Sequence, residues 1–323
     1  MGEFELIARH FQRPVRPLRP GAPGVALGVG DDCALVVPAP GMHLAVTTDM
    51  LVEGRHFLST VAPSRLGHKA LAVNLSDLAA SGADPLAFTL ALALPRADEA
   101  FLTGFAAGLF ALAEAHGIEL VGGDTTAGPL NICITAFGLV PTGQALLRSG
   151  AHAGDDLWVS GRLGDARLAL EAFRGEVTLG GSDFEQVREA MECPQPRVLL
   201  GRGLRGVATS AIDLSDGLVG DLGHILAASK VAAVVDADAL PRSEVLARQP
   251  LELQRLCVLA GGDDYELLFT APASRRAAVE AAGQAAQVPV TRVGRIEGGA
   301  GLQVRDGAGR RLETNWRGFD HFA

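Results

Sequence analysis

The stretch LAVNLSDLAASGADP, residues 71–85, constrains this chain more than any other. Ala70, Leu71, Ala72, Val73, Leu75, Leu78, Ala79 and Ala80 leave almost no polar face, and a helix that is apolar nearly all round is a buried one. Asn74, Asp77 and Ser81 nevertheless fall at i, i+3 and i+7, on one shared face. An ionised aspartate is almost never buried without a partner charge or a metal. Any fold this chain adopts must wrap the helix and still give Asp77 something positive to face.

The length of 323 residues suggests two domains. With 48% hydrophobic and 20% charged residues the composition is that of a folded globular protein. A net charge of −9 argues against a general affinity for nucleic acid or an anionic membrane. Cys33, Cys133, Cys193 and Cys257 are far apart and form no C-x-x-C pair, which disfavours a structural zinc site and points to a reducing compartment. MGEFELIARHF carries acids and no long apolar run, so it does not read as a signal peptide. No uncharged apolar stretch of about 20 residues is present to span a membrane. A cytoplasmic protein is expected.

Along the chain, strands and helices alternate. Phe4, Ile7 and Phe11 predict a short amphipathic helix, and a proline-rich loop follows. GVALGVGDDCALVV reads as strand, glycine turn, strand; MHLAVTTDMLVEGRHF reads as a strand that passes into a loop after Asp49. PLAFTLALALP has a period of two. Phe101, Phe105, Leu109 and Leu112 predict a helix from Asp98 to His116, closed by Gly117. IELVGGD and NICITAFGLV are strands. The turn-rich segment from Pro141 to Asp155 holds the expected boundary, with domains at 1–145 and 146–323. The second half opens with a strand, DLWVSG, and a helix near Asp165 to Phe173. Both halves are therefore α/β or α+β.

Six acidic motifs stand out: GVGDDCA with Asp31 and Asp32, TTDMLVEG with Asp49, NLSDLAASGA with Asp77, VGGDTT with Asp124, IDLSDGL with Asp213 and Asp216, and GGDDYELLF with Asp263, Asp264 and Glu266. Four lie at or just after an apolar strand, where α/β folds place ligand sites. Singly, Gly-Asp is ordinary turn chemistry, and Asp216 before Gly217 reads equally well as a helix cap. Asp77 is different, because aspartate has poor helix propensity and this helix is too apolar for solvent. Two like charges 4 Å apart cost about 4 kcal/mol at an effective dielectric near 20, so convergent carboxylates need a counter-charge. Oxygen donors without a His or Cys cluster select hard cations, and Mg²⁺ usually arrives with phosphates. The acids thus imply a magnesium–nucleotide site. The sequence holds no G-x-x-x-x-G-K-[ST] loop, no protein-kinase string and no G-x-S-x-G elbow.

Taken together and in order, GEFELIARHF, GVGDDCA, TTDMLVEGRHF, KALAVNLSDLAASGADP, GGDTT, LLRSGA, IDLSDGL, GGDDYELLF and WRGFDHF resemble the thiamine-monophosphate kinase family, over Glu3 to Phe322. That family lies in the superfamily of aminoimidazole ribonucleotide synthetase and selenophosphate synthetase. The resemblance implies a two-domain α/β fold whose N-terminal domains pair in a homodimer. It implies transfer of the γ-phosphoryl group of ATP to thiamine monophosphate, giving thiamine diphosphate. By position, Asp32, Thr47, Thr48, Asp49, Asp77, Asp124, Asp213 and Asp216 would hold several Mg²⁺ ions, with Asp77, Asp49, Asp124 and Asp213 central to catalysis. Gly123, Asp124, Arg148 and Ser215 would contact ATP, and His56, Asp263 and Phe319 the thiamine substrate. Three positions depart from the usual pattern: Asp263 where Glu is common, Ser81 where Met is common and Met50 where Thr is common.

Other readings stay open at this level. An ATP-dependent cyclase belongs to the same superfamily. A selenophosphate synthetase needs a reactive Cys in its N-terminal region, and none precedes Cys33. A nucleotide-sensing protein without turnover, or a Mg²⁺-dependent phosphohydrolase, would use similar acids.

Overall fold

The computed structural model describes residues 3–16, 22–29, 33–313 and 316. The chain forms two compact units: Met1–Leu78 with Ala83–Gly143, and Ala79–Gly82 with Gln144–Ala323.

The first unit contains α1 (Glu3–His10), β1 (Gly24–Leu27), β2 (Leu35–Val37), β3 (Met42–Val52), α2 (Pro63–Ala80), β4 (Asp84–Leu94), α3 (Glu99–His116), β5 (Glu119–Ala127) and β6 (Asn131–Pro141). β1 and β2 form an antiparallel pair; Gly30, Asp31 and Asp32 of the expected glycine turn lie outside the described residues. The four longer strands form a sheet in the order β3-β6-β4-β5, with only β4 and β5 parallel. β3 does not end at Asp49. It continues to Val52, because Met50, Leu51 and Val52 find partners in Cys133, Ile132 and Asn131. β5 likewise runs through Asp124 to Ala127. Both aspartates are strand residues, not strand-end residues.

The apolar helix is α2. Pro63 opens it, at a position whose N–H would be unpaired anyway. Gly82, in the left-handed region at φ 66°, ends it, and the Ala83 N–H returns to the Leu78 carbonyl. α3 crosses α2 with backbones in contact. A Cβ on Gly67 would lie 2.0 Å from the Phe105 carbonyl oxygen, and one on Gly108 would lie 1.8 Å from that of Ser64. Leu71, Leu75 and Leu78 of α2, Phe105 and Leu109 of α3, and Phe88 and Ile134 of the sheet are all fully buried. Asp98 caps α3 by accepting the Phe101 N–H, and Gly117 closes it, as the sequence predicts.

The second unit contains β7 (Asp155–Ser160), α4 (Asp165–Phe173), α5 (Gly181–Glu192), α6 (Val198–Gly203), β8 (Ser210–Asp213), α7 (Leu218–Ser229), β9 (Ala232–Asp236), α8 (Glu244–Ala247), α9 (Leu251–Ala260), β10 (Leu267–Pro272), α10 (Arg276–Ala286), β11 (Val290–Glu297) and β12 (Gly301–Arg305). Its mixed sheet has the order β12-β9-β11-β7-β10-β8. One sheet face, carrying Leu157, Val159, Leu268, Val293 and Val235, is sealed by Leu168 of α4, Leu222 and Ile225 of α7 and Val258 of α9. On the other face Trp158 stacks on Phe269, ring centroids 6.5 Å apart.

Candidate active site

In the first unit the alternation of β3 divides the TTD motif. Thr47, Asp49 and Leu51 point to one side, Thr48 and Met50 to the other. The Thr47 hydroxyl donates to the Asp77 carboxylate of α2, and Asp49 shares a hydrogen bond with that same carboxylate. Burial first, and then the charge of Asp77, push Asp49 up to about 7. Asp77 thus faces a second carboxyl and a threonine hydroxyl across the helix–sheet boundary. On the far side, Thr48 meets the Thr135 hydroxyl at 2.9 Å.

His56 sits just beyond β3. The Val52 N–H donates to its Nδ1 at 3.0 Å, which leaves the ring proton of the neutral imidazole on Nε2. Lys69 of α2, only 2% exposed, donates to the His56 carbonyl at 3.1 Å.

Asp124 is not brought to this pair. Two strands separate β5 from β3, a span of about 14 Å at normal strand spacing. Register runs from Asp49 through Ile134 and Leu90 to Gly123, while Asp124 lies opposite Ala91. Asp124 is exposed. Asp31, Asp32 and Phe319 lie outside the described residues.

In the second unit the IDLSDGL and GGDDYELLF motifs form one backbone-paired element. The Leu214 N–H donates to the Glu266 carbonyl, the Tyr265 N–H to that of Leu214 and the Asp263 N–H to that of Ser215, each at 2.8 Å. This extends the β8–β10 ladder, in which Leu267 faces Asp213. Gly262 lets the two loops touch: its φ is 84°, and a Cβ there would stand 2.8 Å from the Ser215 carbonyl oxygen. Asp263 and Tyr265 adopt φ of 60° and 49°, conformations that cost a non-glycine residue about 1–3 kcal/mol and gather at functional sites. The Tyr265 hydroxyl holds the Asp263 carboxylate at 3.0 Å.

The acids of this element divide by environment. Asp213 closes β8 and is buried. Asp216 does not cap α7; the cap position is Gly217, with no side-chain bond. Asp221, in the first turn of α7, accepts the Asp216 N–H at 3.1 Å. Burial, with the Asp216 charge second, pushes Asp221 up to about 7. Asp264 turns inward to the Gly164 N–H at 2.8 Å, and burial raises it well above the carboxylate range. Glu266 is structural. Arg197 grips it with two nitrogens, one at 2.7 Å, and the Ser160 hydroxyl donates to it at 2.5 Å. Arg148 is exposed; its loop is tied down by Ser229, which donates to the Arg148 carbonyl and accepts from the N–H groups of Gly150 and Ala151, all at 3.1 Å.

Asp221, Lys69 and Arg197 lie outside the six acidic motifs. Asp221 and Lys69 were signalled in the same way as Asp77, as charges on otherwise apolar helices. Nothing local signals Arg197, whose partner is 69 residues away.

Among the described residues no three His, Cys, Asp or Glu side chains come together closely enough to hold a metal ion. The carboxyls form pairs: Asp49 with Asp77, and Asp216 with Asp221. Such pairs suit Mg²⁺ better than an all-protein cage would, because Mg²⁺ takes one or two carboxylates and completes its shell with water and phosphate oxygens.

Residues 30–140 match the family of the AIR synthase related protein N-terminal domain, and residues 152–307 that of its C-terminal domain. The thiamine-monophosphate kinase of Salmonella typhimurium is 46% identical over 326 residues, covering 100% of this chain and 98% of its own. The crystal structure of thiamine-monophosphate kinase from Stenotrophomonas maltophilia K279a is similar at a TM-score of 0.84 and 46% identity, over 93% of this chain and 94% of that one. AaThiL complexed with AMPPCP and TMP is similar at a TM-score of 0.77 and 31% identity, over 88% and 89%.

Proposed function

Since this chain belongs to the thiamine-monophosphate kinase family, we propose a reading of its site that starts from the family's reaction. The enzyme phosphorylates thiamine monophosphate to thiamine diphosphate at the expense of ATP. The acceptor is a phosphate monoester with a second pKa near 6, so near neutrality it is already mostly dianionic. No side chain is needed as a base to create the nucleophile. The difficulty is bringing two polyanions together and in line, and phosphoryl transfer depends chiefly on alignment and charge stabilisation.

One observation carries the assignment of residues: the Asp77 carboxylate on a buried helix, held by Thr47 and set against Asp49. Asp49, Asp77 and Thr47 in the first unit, and Asp213 and Asp216 in the second, are the proposed Mg²⁺ ligands. Bound there with the nucleotide, Mg²⁺ would neutralise charge on the phosphates. Asp32, Asp124 and Thr48 are assigned to Mg²⁺ by family position alone, since Asp124 lies across the sheet from Asp49 and Thr48 on the opposite strand face. Gly123, Asp124, Arg148 and Ser215 are assigned to ATP. His56, Asp263 and Phe319 are assigned to the thiamine substrate. Val52 holds the His56 ring with Nε2–H as donor, and Tyr265 fixes the Asp263 carboxylate. Burial favours the neutral form of Asp264, and Glu266 serves the fold.

A homodimer through the first unit is part of the same reading. Leu44, Val46 and Met50 of edge strand β3 stand 48%, 57% and 54% exposed on one face, an apolar surface of the kind that marks an interface. A cytoplasmic site of action fits Cys33, Cys133, Cys193 and Cys257, none of which is in a disulfide.

ADP formation with and without thiamine monophosphate tests the reading. Acceptor-dependent ADP, with thiamine diphosphate as product and loss of both in Asp77→Asn, is the expected result. ADP or phosphate release without acceptor would overturn it.

A further inference from the structure

The second unit carries a cavity of about 760 Å³ on the face of its sheet opposite the main core, formed by β7, β11, β9 and β12 with the start of α10. Its volume lies within the usual range for small-molecule sites. Its chemistry is the reverse of the acidic motifs. Arg276, Arg292, Arg295 and Arg305 line it, against Asp156 and one other aspartate, Asp236, in a chain whose net charge is −9.

The arginines are placed, not scattered. Positions three apart on a regular strand face opposite sides, yet Arg292 and Arg295 of β11 both line the cavity. A bulge at Val293 makes this possible: Arg292 pairs with Trp158 and Gly294 with Leu157, so one residue is skipped. Asp156, 5% exposed, is an internal anchor. It accepts Arg276 Nε at 2.6 Å and the second Arg276 nitrogen at 2.9 Å, with Arg292 at 3.4 Å. Those guanidinium groups hold the Asp156 carboxyl below its ordinary range, the Arg276 hydrogen bond first. Arg295 is paired with Glu297 at 2.6 Å and Glu280 also faces Arg276, so the positive charge left over is that of Arg292, at the 3.4 Å margin of Asp156, and of Arg305. Asp236 is engaged in a turn, accepting the N–H groups of Asp238 and Ala239. Arg305 enters from β12, two strands from β11, about 10 Å across at normal spacing. Among the described residues its side chain bonds only the neutral amide of Gln303, at 3.0 Å.

We propose that this cavity binds a small organic anion of the polyphosphate class, outside the catalytic site and independently of the kinase assignment. Planar guanidinium groups recognise phosphate oxygens in pairs. The tether through Asp156 orients two of them before a ligand arrives. The separation of Arg292 from Arg305 suits two linked phosphates better than one.

Inorganic pyrophosphate is the probe, titrated into the full-length protein by calorimetry in EDTA, so that the acidic motifs carry no metal to attract it. Saturable binding is expected. It should weaken at least about 10-fold in Arg292→Gln/Arg305→Gln, the factor that one charge-assisted hydrogen bond supplies. It should be unchanged in Asp77→Asn, and the double variant should keep the melting temperature and basal turnover of the parent. The single variant Arg305→Glu should weaken binding as well. Absence of saturable binding would overturn the proposal, as would equal binding by the arginine variants or loss of binding in Asp77→Asn. Binding of single-stranded RNA or polyglutamate without any pyrophosphate signal would overturn it too.

Discussion

Asp49 and Asp77 share a hydrogen bond across the boundary between β3 and α2, with the Thr47 hydroxyl donating to Asp77 from the same strand face. Two carboxyls this close repel unless a proton or cation lies between them. Asp77→Asn removes one charge and leaves the shape unchanged. Turnover should fall at least about 100-fold, beyond what loss of an outer-shell metal partner costs. The metal-free variant should melt higher than the parent, by about 2–4 °C for each kcal/mol of repulsion relieved. Steady-state assays and melting in EDTA check both. Near-normal activity would remove Asp77 from the site.

Nucleotide with Mg²⁺ should stabilise the protein far more than nucleotide alone. A ligand at 100 times its Kd adds about 2.7 kcal/mol. ATP in EDTA meets carboxylates that repel it. Thermal melts with ATP plus Mg²⁺, and with ATP plus EDTA, make the comparison; equal shifts would contradict the metal assignment.

Glu266 lies in the same motif as Asp263 but should behave as a structural residue. Glu266→Ala leaves the part-buried Arg197 guanidinium without its carboxylate, a loss of about 3–5 kcal/mol for a buried pair. Chemical denaturation should show that drop. The KM for thiamine monophosphate, measured on the folded fraction at low temperature, should stay close to that of the parent. A large KM change with little loss of stability would reverse the roles.

Asp264 makes stability depend on pH with a definite sign. Its folded pKa is raised by burial. Above about pH 4 the unfolded carboxyl ionises while the native one keeps its proton. The unfolded state then binds fewer protons, so this group lowers stability as pH rises, until the native pKa is passed. Asp264→Asn keeps an acceptor for the Gly164 N–H and cannot ionise. The melting-temperature gap between variant and parent should be small at pH 4 and widen toward neutrality. A constant gap would show that Asp264 is ionised in the fold.

Val46→Asp places a charge in the middle of the exposed Leu44, Val46 and Met50 face. If this face joins two copies, light scattering should report a dimer for the parent and a monomer for the variant, each folded unit intact. An unchanged dimer would put the interface elsewhere.

The local sequence determined much of this protein by itself. Period-two alternation marked β4, Asp98 and Gly117 marked the ends of α3, and the apolar run from Ala70 to Ala80 marked a buried helix with a misfit aspartate. These features are written in neighbouring residues, so propensity, capping and periodicity reach them. The ordered motifs also carried the family. Tertiary structure decided what each acid does. Asp49 and Asp124 lie in similar apolar segments, yet register puts one against Asp77 and leaves the other exposed, three strands farther across the sheet. Asp263, Asp264 and Glu266 are near neighbours in sequence. One is held by Tyr265, one is turned to the Gly164 N–H with its pKa raised by burial and one is neutralised by Arg197. The bulge at Val293 and the arginines it gathers left no mark in the sequence pattern. A carboxyl's role depends on burial and on partners dozens of residues away, and only the folded chain brings those together.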